Sequence, residues 1–114
     1  VRRVVEAAAE RGIGVLTLYA FSGDNWKRPA GEVSALFRLF EHWLGKERRR
    51  CARESIRLEV VGRRDRLPPA LLRAIAGAER ETADGTRMTL RIALDYSARD
   101  AIVQAADQLR GSEQ

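Results

Sequence analysis

Apolar positions along the chain follow two rhythms, and the rhythms alternate. Val1, Val4, Val5, Ala8 and Ala9 share the i, i+3, i+4 spacing of an amphipathic helix. That helix is predicted to run to about Arg11, with Gly12 as its C-cap. VLTLYAF at 15–21 is a short unbroken apolar run rich in strand formers, which predicts a strand buried on both faces. Helical spacing returns with Val33, Leu36, Phe37, Phe40 and Leu44 and predicts a helix to about Glu54. IRLEVVG at 56–62 reads as a second strand. Pro68 and Pro69 then open a helix, where a missing N–H costs least, and it is expected to last to about Ala83. RMTLRIALDY at 87–96 predicts a third strand, and a last helix is expected over roughly 98–110.

Strands alternating with helices of this length predict an α/β fold built from βαβ units. The expectation is a parallel sheet covered by helices on both faces, with three strands and four helices. Open sheets of this kind bind ligands outside the carboxyl ends of their strands. Two polar segments fall at that edge: SGDNWKRP after the first strand and DYSARD after the third.

Length and composition narrow the picture. A chain of 114 residues supports one domain with a modest core, and no repeat, low-complexity tract or linker divides it. Of its 21 basic residues all but Lys27 and Lys46 are arginine, and the net charge is +5. Such a balance suits an anionic ligand, a nucleic acid or an acidic membrane face and selects none of them. No basic–aromatic platform or recognition motif is present, so nucleic acid is not the expected partner. Cys51, the single cysteine, forms no internal disulfide. No apolar run approaches the ~20 residues of a transmembrane helix, and no signal peptide is visible. The chain reads as cytoplasmic. It begins at Val1 inside a helical pattern and stops at GSEQ soon after another, which predicts a fragment.

The loop after the first strand carries usable chemistry. Ser22 offers a hydroxyl donor to a phosphate oxygen, and Asn25 a neutral amide. Lys27 and Arg28 add cations, of which Arg28 can grip a phosphate through two parallel hydrogen bonds. Gly23 frees the backbone to turn. Glu32 falls in the first turn of the next helix, where the helix dipole favours a carboxylate. The plainer alternative is a surface loop, with Trp26 packed as a lid and Glu32 as a capping residue.

LTLYAFSGDNWKRPAGEVSAL closely resembles the cis-prenyltransferases, the undecaprenyl diphosphate synthase family, whose pattern here is LTLYAFS-x-x-NW-x-RP-x-x-EV. VRRVVEAAAERGI is similar to the preceding helix of that family and IRLEVVGRRDRLP to its later strand and loop. AERETADGTRMTLRIALDYSARDAI is similar to the segment ending in IA-x-x-YGGR-[DE]-[DE]-I. Residues 1–114 are therefore expected to be the central part of a single cis-prenyltransferase-like domain, with the N- and C-terminal catalytic segments outside it.

The resemblance implies a Mg²⁺-dependent homodimer that condenses isopentenyl diphosphate onto an allylic diphosphate, with peripheral contact at a membrane surface. The 114 residues alone are expected to be inactive. It assigns Ser22 and Asn25 to the catalytic loop that positions the diphosphates and assists proton loss. Trp26 would cover the substrate, and Arg28 and Glu32 would order the loop. Asp100 keeps the first acidic position of the later motif. Leu36 and Phe40 would contact the apolar tunnel for the growing chain, and Ala20 and Met88 would lie toward its deep end. No metal ligand is assigned within the stretch.

Two departures stand out. Ser97 and Ala98 replace the family's Gly-Gly before Arg99, and Ala101 replaces the second acidic residue. They motivate an alternative, a non-catalytic cis-prenyltransferase-like partner subunit. His42 and Cys51 are expected to be structural, and KERRR at 46–50 a solvated helix end.

Overall fold

Alternation in IRLEVV decides which way the sheet faces: Ile56, Leu58 and Val60 are buried, whereas Arg57 is exposed and Glu59 and Val61 are half-buried. The computed structural model describes residues 2–96 with Ala106 and Leu109, leaving out the side chains of Ser22, Asp24 and Tyr96. Its elements are α1 (Arg2–Glu10), β1 (Val15–Ser22), a 3₁₀ turn (Gly23–Lys27), α2 (Ala30–Arg53), β2 (Ile56–Val61), α3 (Pro69–Glu81) and β3 (Met88–Tyr96). The strands form one parallel sheet in the order β1-β3-β2.

The helix boundaries have local causes. Gly12, at φ +75°, closes α1 in a Schellman motif: Ile13 N–H donates to the Ala8 carbonyl and Gly12 N–H to that of Ala9. Pro29 precedes α2, and its carbonyl accepts the N–H groups of Glu32 and Val33 at 3.0 and 3.2 Å. The helix thus starts three residues before its apolar stripe, because Pro29 and not Val33 sets the first turn. Pro69 opens α3 as its spacing predicts.

The core lies on the face of the sheet that carries Leu58, Leu90 and Ile92, packed against Leu44 of α2 and Leu71 and Ile75 of α3. Burying a side chain of this size contributes about 1.5–3 kcal/mol. Near the end of α2, Lys46, Arg49 and Arg53 are exposed, whereas Arg48 and Arg50 tie helices together. Arg50, largely buried, pairs with Glu6 of α1 and with Glu47, and Arg48 pairs with Glu81 of α3. Cys51 is buried in the core, and burial, with Glu47 beside it, pushes its thiol up to about 11.

The outer edge of β2 is closed by side chains. Its Leu58 N–H donates to Thr82 Oγ1 at 2.9 Å and its Val60 N–H to Glu79 Oε2 at 3.2 Å. Arg64 donates to the Val60 carbonyl and pairs with Glu79. An edge strand treated in this way offers little to another chain.

Three expectations change. Among the described residues there are three α-helices, and the fourth, expected over 98–110, lies outside them apart from Ala106 and Leu109. The described helices cover one face of the sheet; on the other, Thr17 and Arg57 are exposed and Thr89 and Arg91 half-buried. Nor is β1 buried on both faces. Among the described residues it lies at the edge of the sheet, with Val15 50% and Tyr19 76% exposed.

Candidate functional site

The carboxyl end of β1 loses its regular pairing. Tyr19 stands opposite Ala93, Phe21 opposite Leu94 and Ser22 opposite Tyr96, so the ladder slips at Ala20 and again at Asp95. Such irregularities bend a strand and re-aim its side chains. Phe21 turns into the core, and Asp95 takes φ +52°, a left-handed conformation that aspartate tolerates better than most residues.

Asp95 is fully buried and holds two segments at once. Its carboxylate accepts the Trp26 indole N–H at 2.9 Å. It also accepts two N–H donors of Arg66, Nε at 3.0 Å and Nη2 at 2.6 Å. The Arg66 guanidinium lies 4.9 Å from the centre of the Trp26 ring, within cation–π range. On its apolar side the half-buried indole meets Phe21 edge-on at 5.3 Å and Phe37 at 5.5 Å. Gly62 makes this possible from the β2 side. At φ +120° its backbone passes so close to β3 that a Cβ would stand 2.0 Å from the Leu94 carbonyl oxygen. The chain then turns to bring Arg66 over the end of β3, with Arg63 N–H donating to the Asp95 carbonyl at 3.3 Å.

Asn25 is half-buried in the turn between Ser22 and Trp26, and its carbonyl accepts the Arg28 N–H at 3.1 Å. Arg28 is exposed on the rim, and Glu32 is exposed in the first turn of α2. Loop and helix start therefore gather Asn25, Trp26, Arg28 and Glu32 along the carboxyl edge, with the Ser22 backbone at the end of β1.

An apolar cleft adjoins this loop. A space of about 460 Å³ lies between the end of β1 and α2, lined by Ala20, Phe21, Leu36, Phe37, Phe40 and Trp43. A second space of about 230 Å³ shares Ala20, Phe40 and Trp43 and continues toward Leu18 and Ile92. Phe40 and Trp43 stack at 5.8 Å and form a flat aromatic wall. His42 and Lys46 stand on the rim. Ala20 belongs to the half of β1 near the loop and lines both spaces. Met88 lines neither space: it sits at the opposite end of β3, 2% exposed in the core and paired with Ile56. Asp100 falls outside the described residues.

The described residues do not fit a Mg²⁺ site. Among them no group of three or more His, Cys, Asp or Glu side chains comes together. Asp95, the buried carboxylate at this edge, is already taken up by Trp26 and Arg66. Sequence reasoning passed over Asp95 and Arg66. The available signal was an acid inside the apolar run IALDY, since a carboxylate buried in a strand needs a cation within reach.

The whole chain, residues 1–114, matches the family profile described as "Putative undecaprenyl diphosphate synthase". It is 57% identical over 106 residues to isoprenyl transferase 1 of Bradyrhizobium diazoefficiens, covering 93% of this chain and 43% of that protein. It is 47% identical over 109 residues to the (2E,6E)-farnesyl-diphosphate-specific ditrans,polycis-undecaprenyl-diphosphate synthase of Escherichia coli, covering 96% of this chain and 43% of that protein. Its fold superposes with a TM-score of 0.93 on a crystal structure of a probable undecaprenyl diphosphate synthase from Campylobacter jejuni, at 29% identity, covering 98% of this chain and 55% of that one. Lavandulyl diphosphate synthase from Lavandula x intermedia, in complex with dimethylallyl diphosphate, matches with a TM-score of 0.90 at 30% identity, over 95% of this chain and 47% of that one. The chain thus spans less than half the length of the two curated relatives.

Proposed function

We propose that this chain, which belongs to the undecaprenyl diphosphate synthase family, is the central part of an enzyme that elongates cis-prenyl chains. The substrates would be isopentenyl diphosphate and an allylic diphosphate. The observation that carries this reading is the adjacency of two surfaces: a loop with an amide, an indole and cations, and an apolar cleft opening beside it. A prenyl diphosphate has the same two halves.

In the reaction the allylic C–O bond breaks and diphosphate departs. The double bond of isopentenyl diphosphate forms the new C–C bond, and a proton is lost. The protein's work is to hold two diphosphates, stabilise leaving-group charge and exclude water. Asn25 and Ser22 would position the diphosphates and assist proton loss. Arg28 would bind phosphate oxygens, with Glu32 ordering the start of α2 beside it. Ala20, Leu36 and Phe40 would line the path of the growing chain, with Trp26 at its mouth. Asp100 would contribute from the later motif.

Mg²⁺ dependence, a homodimer, a cytoplasmic location and peripheral membrane contact belong to the same proposal. The described residues supply no ligand set for the ion. Among the described helices none is long and apolar enough to cross a membrane. The rival reading, a non-catalytic partner subunit, draws on Ser97, Ala98 and Ala101. One assay separates the two: turnover of labelled isopentenyl diphosphate by the full reading frame that contains this chain. Turnover is expected, with kcat falling roughly 10²–10⁴-fold in Asn25→Ala. Absence of turnover in the folded protein favours the partner subunit, and a kcat within about threefold of wild type makes Asn25 a turn residue.

A further inference from the structure

Nothing in the motif resemblance assigns a role to Asp95 or Arg66, yet they join three segments far apart in sequence. The turn after β1 supplies Trp26, the loop after β2 supplies Arg66, and the irregular end of β3 supplies Asp95. We propose that Asp95 and Arg66 are positioning residues that hold the Trp26 indole as a fixed partition between the diphosphate loop and the apolar cleft. The proposal rests on the reading given under Proposed function.

Geometry makes the case. The half-buried indole is held by four side chains. Phe21 and Phe37, which both line the cleft, fix its apolar side. Asp95 fixes its N–H, and the Arg66 guanidinium stands over its ring. Trp26 directly follows Asn25, so the orientation of one is carried to the other through a single peptide unit. A packed aromatic without a polar partner can tilt within its pocket. An indole hydrogen-bonded to a carboxylate that is itself held by two N–H donors cannot do so without breaking a charge-assisted network.

An ordinary buried ion pair would need no indole and would tie only β3 to the loop after β2. Here the carboxylate oxygen that receives the indole, Oδ1, also accepts the shorter of the two Arg66 bonds, at 2.6 Å. Trp26 and Arg66 therefore share one acceptor and are coupled through it. Displacing either one alters the electrostatic hold on the other. The partition is thus set from the β2–β3 side of the sheet, while the reacting groups would lie on the β1 side.

The test uses the full-length protein and two readouts, one of them independent of prenyl transfer. Solvent exchange of the Trp26 indole proton is followed by NMR, the signal being identified by its loss in Trp26→Phe. Steady-state kinetics give KM and kcat for the allylic diphosphate. Asp95→Ala is expected to speed indole exchange at least about tenfold, the change expected for loss of one net hydrogen bond. KM should rise by a similar factor, with kcat within about threefold of wild type. Asp95→Asn keeps an Oδ1 acceptor for the indole but sets an amide N–H₂ against the Arg66 Nε–H that now donates to Oδ2, so it is expected to recover only part of the exchange change. If Asp95→Ala does not fold, Arg66→Lys carries the test, with exchange faster by about threefold or more because one flexible ammonium replaces the planar fork.

The proposal is overturned if indole exchange in a folded variant stays within twofold of wild type. It is also overturned if exchange rises while KM is unchanged, because the network then holds Trp26 without positioning a substrate. Absence of prenyl transfer in the wild-type protein sinks the functional reading instead, and positioning of the substrate with it. The exchange measurement would still report whether Asp95 and Arg66 anchor the indole.

Discussion

The two edges of the sheet are finished in opposite ways. At β2, Thr82, just past α3, and Glu79 of α3 take up the outward N–H groups of Leu58 and Val60, and Arg64 caps the Val60 carbonyl. At β1, Tyr19 is largely exposed and the strand ends in slipped pairing beside an apolar cleft. The difference separates two tasks. Residues at the β2 edge are consumed in satisfying the backbone and building core, so they stabilise the fold. Residues at the β1 edge leave space and keep polar groups near the rim, as a binding surface requires. Trp26 stands where the two meet, held by the core through Phe37 and by the loop after β2 through Asp95 and Arg66.

The comparison breaks most visibly if stability and product length fail to separate. Leu71→Ala, in the core against α3, is expected to cost about 2–5 kcal/mol in urea unfolding. The length of the prenyl product should stay the same, because Leu71 is remote from both apolar spaces. Thr82→Val comes next. It keeps the shape but orphans the buried Leu58 N–H, for an expected loss of about 1–3 kcal/mol. Equal stability with a changed product would reverse the assignment of that edge.

The smallest effect concerns Cys51. Its folded-state pKa, about 11, is raised from 9.0 by burial and by Glu47. A raised acid pKa favours the protonated thiol in the folded state. Its contribution to stability is therefore complete below pH 9 and lost as the pH rises from 9 toward 11. At pH 9, alkylation by iodoacetamide is expected to be at least about tenfold slower in the native protein than in urea. Equal rates would place Cys51 at the surface.

Much of the fold was legible because it is local. The strand in VLTLYAF, the Gly12 cap and the Pro69 start each depend on a few neighbouring residues, and each lies where the pattern predicts. The placement of Glu32 in the first turn of α2 was legible too, because Pro29 sets that turn directly before Ala30. Burial of β1 was overestimated, since strand propensity and burial look alike in a short apolar run. The loop from Asn25 to Glu32 was legible from its resemblance to a known pattern. Asp95 and Arg66 were not: they lie 29 residues apart, and Asp95 is 69 residues from Trp26. What joins them is the parallel order β1-β3-β2, which no local spacing reveals. Met88 opens β3, at the end away from the loop, and lines neither apolar space.

The measurement closest to the central claim is the chain length of the product made by Ala20→Leu in the full-length protein. Ala20 lines both apolar spaces and is itself exposed, so the substitution should change stability by no more than about 0.5 kcal/mol. Three added carbons would project into the cleft, where Phe40 and Trp43 form the facing wall. The account predicts a shift of the chromatographic profile toward shorter prenyl products, with unfolding unchanged. A wild-type length distribution from a folded variant would contradict it, because the cleft beside β1 would then not be the path of the growing chain.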